Sequence, residues 1–93
     1  MNTRLTTQDM DADNERLKAL RDNAQYRIGV QLAEIRKAQG ITQTQLAEIT
    51  GMKQQTIQRV ESGLYSPSIG LLTVILESLG HEIRIKPKPK RRR

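Results

Sequence analysis

Cysteine, phenylalanine and tryptophan are all absent from this 93-residue chain. Without cysteine there is no disulfide framework and no thiolate metal site, and a single histidine, His81, excludes most histidine-rich zinc sites. No apolar run reaches the roughly 18 residues that a membrane span needs, and the amino-terminal segment lacks the apolar stretch of a secretion signal. We therefore expect a cytoplasmic protein with no membrane association, no metal and no other cofactor.

The chain also lacks the usual materials of an active site. It has no cysteine nucleophile, no second histidine and no glycine-rich phosphate loop. Glu82 follows His81, but neighbouring residues on a strand point to opposite faces and would not act together. We expect no enzymatic activity and no catalytic residue.

Positive charge is concentrated at the carboxyl end. Residues 84–93 contain seven of the sixteen lysines and arginines and no acidic residue, which leaves nine basic and ten acidic residues in 1–83. Such a tail favours a polyanionic partner, but phosphate attraction alone carries no base information. RNA binding through the tail is disfavoured, because the two tyrosines, Tyr26 and Tyr65, lie far from it in sequence and stacking aromatics are typical of that function.

The length predicts a single domain. We divide the chain into a flexible amino terminus (1–12), a folded domain (13–80), a strand (81–86) and a disordered basic tail (87–93). Within the domain, the first helical pattern runs from Asp13 to Gly40, with apolar residues at steps of three and four: Leu17, Leu20, Ala24, Ile28, Leu32 and Ile35. Gly29 weakens this pattern, which is compatible with one long helix or with two.

Three shorter helices follow. Thr42 and Gln45 have the spacing of a capping box, which predicts a helix from Gln43 to about Thr50. A second helix is predicted from about Gln54 to Ser62. Ser68 is a candidate cap for an apolar helix, Ile69–Leu79, which we expect to be buried centrally or in a subunit contact.

The segment from Gln43 to Ser62 has the pattern of a helix-turn-helix motif. Ala47 is small where the two helices would cross, and Gly51 lies four residues later, where the turn requires a left-handed backbone. Ile57 and Val60 lie on one face of the second helix, and its other face is polar. This motif carries one helix into the DNA major groove.

A strand-like alternation follows Gly80, with Ile83 and Ile85 on one face. An isolated strand in a helical chain lacks a pairing partner. We predict that this segment pairs with its copy in a second subunit, which makes the protein a homodimer. The alternative is an extended tail packed on its own body.

The string ITQTQLAEITGMKQQTIQRVESG, from Ile41 to Gly63, resembles the Cro/repressor (Xre-type) helix-turn-helix family, and the similarity extends over residues 25–79. The last helix, Gly80 and the alternating segment resemble a subset, the HipB-like and HigA-like antitoxin repressors. The resemblance implies an all-α, lambda-repressor-like bundle of four to five helices, with a short carboxyl-terminal β-strand pairing across a dimer.

The resemblance also implies which residues contact DNA. The helix that begins near Gln54 would be the recognition helix, and base contacts would fall on it at Gln54, Gln55, Gln58 and Arg59. Glutamine suits adenine, and arginine suits guanine or a phosphate. The alternative is an ordinary solvated helix face.

Phosphate contacts are expected from Gln43, Lys53, Thr56 and Tyr65. For Gln43 the alternative is a simple first-turn residue. Many relatives have serine as the helix cap where this chain has Lys53, and lysine cannot cap in that way.

Arg36 and Glu61 match a partly buried ion pair of phage repressors, which would hold the first helix to the end of the recognition helix.

The predicted function is a sequence-specific repressor that binds double-stranded DNA as a homodimer at an inverted repeat. The antitoxin resemblance adds a toxin protein as a partner. The alternative is a protein-interaction module that mainly neutralises a toxin, through residues 13–24 and the apolar face of helix 69–79, with DNA binding secondary.

Overall fold

The computed structural model describes residues 7–90, with side chains from residue 14 onward. It has four helices, which are α1 (Thr7–Ala38), α2 (Gln43–Thr50), α3 (Gln54–Ser62) and α4 (Ile69–Ser78). No β-strand is present between residues 7 and 90. The predicted all-α fold class is therefore confirmed, with four helices.

Helix α1 is continuous, so the choice between one helix and two is decided in favour of one. It begins at Thr7, six residues before the predicted start, while residues 1–6 lie outside the described part of the chain. Gly29 is buried where α1 crosses α3, and a β-carbon there would lie 2.6 Å from the backbone oxygen of Val60. The glycine that weakens the helical pattern is thus what allows the two helices to approach.

Helix α2 begins with the predicted capping box. Thr42 Oγ1 accepts a hydrogen bond from the Gln45 backbone N–H at 3.0 Å, and Gln45 Oε1 accepts one from the Thr42 N–H at 2.8 Å. The helix ends at Gly51, whose φ of 72° is the left-handed conformation that the turn requires. Two local signals therefore set both ends of this helix.

Helix α3 starts without a side-chain cap, as expected for Lys53. Helix α4 starts with the Ser68 hydroxyl accepting from the Leu71 N–H at 3.1 Å, which confirms that cap. It ends at Ser78, one residue before the predicted end.

The core lies where the four helices meet. Its buried apolar residues come from every helix and from the residue after α4: Leu32, Leu46, Ala47, Ile57, Val60, Leu72, Ile75 and Leu79. Helix α4 is only half covered, because Ile69 and Val74 remain exposed. Of the two alternatives for this helix, burial at the centre of one subunit does not hold for its outer face, and a subunit contact stays a prediction.

The segment after α4 is anchored only at its start. The His81 backbone N–H donates to the Leu76 carbonyl at 2.8 Å, and residues 81–90 are exposed and without regular structure. Residues 81–84 line a pocket with Ile28 and Leu32 of α1, and Ile83 is half exposed, whereas Ile85 is fully exposed. The alternative of a tail packed on its own body therefore stays open for residues 81–84. A strand at 81–86 would require a second copy for its hydrogen bonds, so that pairing stays a prediction.

None of the helices seen over residues 7–90 is both long enough and apolar enough to cross a bilayer.

Candidate nucleic-acid interface

Helix α3 has two chemically opposite faces. Its inner face carries Ile57 and Val60, whose exposed fractions are 0% and 1%. Its outer face carries the four residues predicted to contact bases, all of them exposed: Gln54, Gln55, Gln58 and Arg59. The structure therefore brings these four side chains together on one surface and leaves them accessible to a ligand.

The outer face matches the chemistry of base edges. Each glutamine amide offers a donor and an acceptor, the pair that adenine presents through N7 and N6 in the major groove. Arg59 adds one cation with a fork of donors, which suits guanine or a phosphate oxygen. A face with three amides and one guanidinium is built for directional hydrogen bonds more than for charge attraction.

The four residues predicted to contact phosphates are placed unequally. Lys53 is exposed at the start of α3, and Thr56 is half-buried beside it. Tyr65 is half-buried and packs against the hydrophobic core. Gln43 lies at the first position of α2, half-buried, and its Nε2 donates to Glu61 Oε1 at 3.0 Å.

Arg36 and Glu61 form a two-pronged ion pair between α1 and α3. Arg36 Nε donates to Glu61 Oε2 at 2.6 Å, and Arg36 Nη2 donates to Oε1 at 2.9 Å. Both side chains are shielded from solvent, with exposed fractions of 9% and 6%. Hydrogen bonding to the Glu61 carboxylate raises the pKa of the Arg36 guanidinium above its ordinary value, against the opposing effect of burial.

A third hydrogen bond of the Arg36 guanidinium connects the ion pair to the α1–α2 loop. Arg36 Nη1 donates to the Ile41 carbonyl at 2.8 Å, just before α2. One guanidinium thus links α1, the α1–α2 loop and the end of α3. Because breaking a buried pair leaves an uncompensated charge, removal of either partner would be costly.

Three residues that orient the helices were not predicted as such. Gly29 permits the close crossing of α1 and α3, and Gln39 Nε2 donates to the Leu79 carbonyl at 2.7 Å, which connects the ends of α1 and α4. The third is Gln43, whose bond to Glu61 has no sequence signal, since the two residues are 18 positions apart. Of these three contacts, only the close approach at Gly29 had a signal in the sequence, which was a glycine within an amphipathic helical pattern.

Among the residues that the structure describes, no group of three histidine, cysteine, aspartate or glutamate side chains is placed to hold a metal ion.

Comparisons with known proteins agree with this geometry. The family profile described as helix-turn-helix matches residues 32–84, more than half of the chain. An uncharacterized HTH-type transcriptional regulator of Methanothermobacter thermautotrophicus is 47% identical over 51 residues, which cover 55% of this chain and 74% of that protein.

Two solved structures are similar in fold to this chain. An HTH_3 family transcriptional regulator from Vibrio cholerae has a TM-score of 0.64 and 27% identity, over 67% of this chain and 35% of that one. The chain therefore spans about a third of the length of that protein. A toxin-antitoxin module from Streptococcus pneumoniae has a TM-score of 0.57 and 30% identity, over 92% of this chain and 97% of that one.

Proposed function

The chain belongs to the helix-turn-helix family, and from this premise we propose that it is a DNA-binding transcriptional regulator that acts as a sequence-specific repressor. The observation that carries the proposal is the outer face of α3. Gln54, Gln55 and Arg59 are exposed on a helix whose opposite face is fully buried. Because the backbone of α3 is already ordered, only the side chains of its outer face need to be ordered when they meet base edges.

The repressor acts as a homodimer in this proposal. Two-fold symmetry would separate the two recognition helices by about 34 Å, one turn of DNA, and the operator would be an inverted repeat. The exposed Ile83 and Ile85 support the predicted pairing of residues 81–86 across that dimer. Repression follows because an occupied promoter excludes RNA polymerase. Binding to a promoter requires the compartment that contains the DNA, and we retain the cytoplasm as the localisation on that ground.

Selection of bound sequences from a random pool of duplex DNA tests the proposal. We expect enrichment of an inverted repeat whose half-sites are centred about 10 base pairs apart, with adenine-containing half-sites favoured by the glutamines. Enrichment of a lone half-site would contradict dimeric readout. The absence of any enriched sequence would contradict sequence-specific binding.

The basic tail contributes to affinity without specificity. Residues 88–93 carry five cations, and each phosphate contact adds about 0.9 units to the slope of log affinity against log salt concentration. Deletion of 88–93 should therefore weaken binding to all sequences and flatten the slope by up to about four to five units. An unchanged slope would exclude the tail from the DNA interface.

A second candidate function is neutralisation of a partner protein, such as a toxin. The amino-terminal half of α1 favours it, because Leu17 and Leu20 are 58% and 60% exposed on an apolar stripe. An apolar groove of about 210 Å³ continues that stripe onto the body, where Ala24 and Ile28 face Ile69 of α4. The similarity to the Streptococcus pneumoniae module, over 92% of this chain, extends beyond the matched family region into this half of α1.

Co-expression with the product of the adjacent reading frame distinguishes the two functions. If that product arrests growth and this chain restores it, the doubly substituted L17D/L20D should lose the rescue while Gln55→Ala keeps it. The reverse pattern would show that rescue depends on repression of transcription.

A further inference from the structure

Glu61 is the point at which three helices are connected by hydrogen bonds. It lies in the last turn of α3 and accepts two N–H groups of Arg36 from α1 and one from the Gln43 amide of α2. The Arg36 contacts account for the orientation of α3. The Gln43 contact is separate from them, because it joins Glu61 to the residue at which a phosphate contact is proposed.

The chemistry of the carboxylate determines how the Gln43 amide faces. An ionised carboxylate only accepts hydrogen bonds, so the amide nitrogen of Gln43 must be the atom directed at Glu61. The nitrogen carries two hydrogens, and the 3.0 Å bond to Oε1 uses one. The second hydrogen is fixed in direction by the first, since the amide group is planar.

Arg36 removes the electrostatic objection to this arrangement. A carboxylate beside a DNA phosphate would repel it, but the guanidinium neutralises Glu61 through two hydrogen bonds of 2.6 and 2.9 Å. Arginine is protonated at neutral pH, and hydrogen bonding to Glu61 raises the pKa of Arg36 further, so the guanidinium keeps its charge there. The Arg36–Glu61 pair therefore has no net charge, and it would not repel an approaching phosphate.

We propose that Glu61 is a positioning residue for DNA binding, which holds the Gln43 amide so that its second N–H donates to a phosphate oxygen of the operator. This inference rests on the proposed function. A glutamine already held in place loses less side-chain entropy on binding than a free one. Glu61 therefore acts twice, on the angle of α3 through Arg36 and on the phosphate contact through Gln43.

A double-mutant cycle on operator affinity separates the two actions. Gln43→Met keeps the length of the side chain and removes both donors, and it leaves the Arg36 pair untouched. Glu61→Asp keeps a negative charge opposite Arg36 and shortens the side chain that reaches Gln43. Because the same Oε1 also accepts from Arg36 Nη2, thermal denaturation of Glu61→Asp checks that the ion pair is retained. We expect Gln43→Met to weaken binding about tenfold in the natural chain and less than about twofold in the Glu61→Asp background. Equal losses in both backgrounds would overturn the proposal.

Nuclear magnetic resonance of the free protein supplies a readout that needs no DNA. The Gln43 side-chain NH₂ signals, assigned by their loss in Gln43→Met, should be shifted from those of the exposed Gln54 and should move toward them in Glu61→Asp. Gln45 is the matched control, because its amide belongs to the capping box and should not move. Gln43 signals indistinguishable from those of Gln54 would overturn the proposal.

The outcomes keep the premise and the inference apart. If the natural chain binds no DNA in the selection experiment, the proposed function fails and the phosphate role falls with it. If it binds an operator but the cycle is additive, only the positioning role of Glu61 fails.

Discussion

Helix α3 has nine residues, and its two faces differ in their surroundings: one packs in the core and the other is exposed to solvent. Ile57 and Val60 point inward and are fully buried, whereas Gln55 and Gln58 point outward into solvent. Close packing holds the side chains of the inner face in place, whereas the exposed side chains of the outer face remain accessible to a ligand. From this comparison we expect DNA recognition by the outer face of α3 to depend on the close packing of its inner face.

The residue at the boundary of the two faces should have the largest effect. Glu61→Ala would leave the Arg36 side chain, which is 9% exposed, without its counter-charge. We expect a loss of about 4 kcal/mol in the free energy of unfolding, and weaker operator binding at temperatures where the variant is still folded. Thermal denaturation and operator affinity measure the two effects. An unchanged melting temperature together with unchanged affinity would remove the ion pair from both tasks.

The inner face should affect folding. Ile57→Ala would leave a cavity in the centre of the core and lower the free energy of unfolding by about 3 kcal/mol. Gln58→Ala, one position along and exposed, is the matched control and should cost less than about 0.5 kcal/mol. Urea denaturation followed by circular dichroism measures both variants. Equal losses would mean that the two faces are not distinct in energy.

The outer face should affect binding alone. Gln55→Ala would remove a bidentate contact to a base and weaken binding to the selected operator by about 2 kcal/mol, roughly thirtyfold, while binding to unrelated DNA stays the same. The melting temperature should stay constant, because the amide contacts only solvent in the free protein. Titration against the operator and against a scrambled duplex checks this. A uniform loss on both duplexes would make Gln55 a phosphate contact.

The smallest effect is expected at the start of α3. Lys53→Ala would remove one cation that approaches the DNA backbone, which should reduce the slope of log affinity against log salt by about one unit. Gln43→Met, which removes no charge, should leave the slope unchanged even though affinity falls. Affinity measured over a range of salt concentrations separates these variants. A changed slope for Gln43→Met would argue against a neutral phosphate contact.

Sequence reasoning predicted what depends on neighbours along the chain. The capping box at Thr42, the left-handed turn at Gly51 and the Ser68 cap are confirmed because their partners lie within four residues. The polar outer face of α3 was predictable as well, since helical periodicity alone separates it from Ile57 and Val60. The extent of α1 was misjudged, because its amino-terminal residues are polar and carry no apolar period.

Sequence by itself thus determined where α2, α3 and α4 start, where the chain turns between α2 and α3, and which face of α3 presents amides, since those features arise from backbone geometry and contacts within one helical turn. Only the tertiary structure decided that Gly29 lets α1 approach α3. It alone showed that Glu61 also accepts a hydrogen bond from Gln43, 18 residues away. The physical reason is that such contacts depend on the angle and distance at which helices cross, which the packing of the whole core determines and no local pattern records.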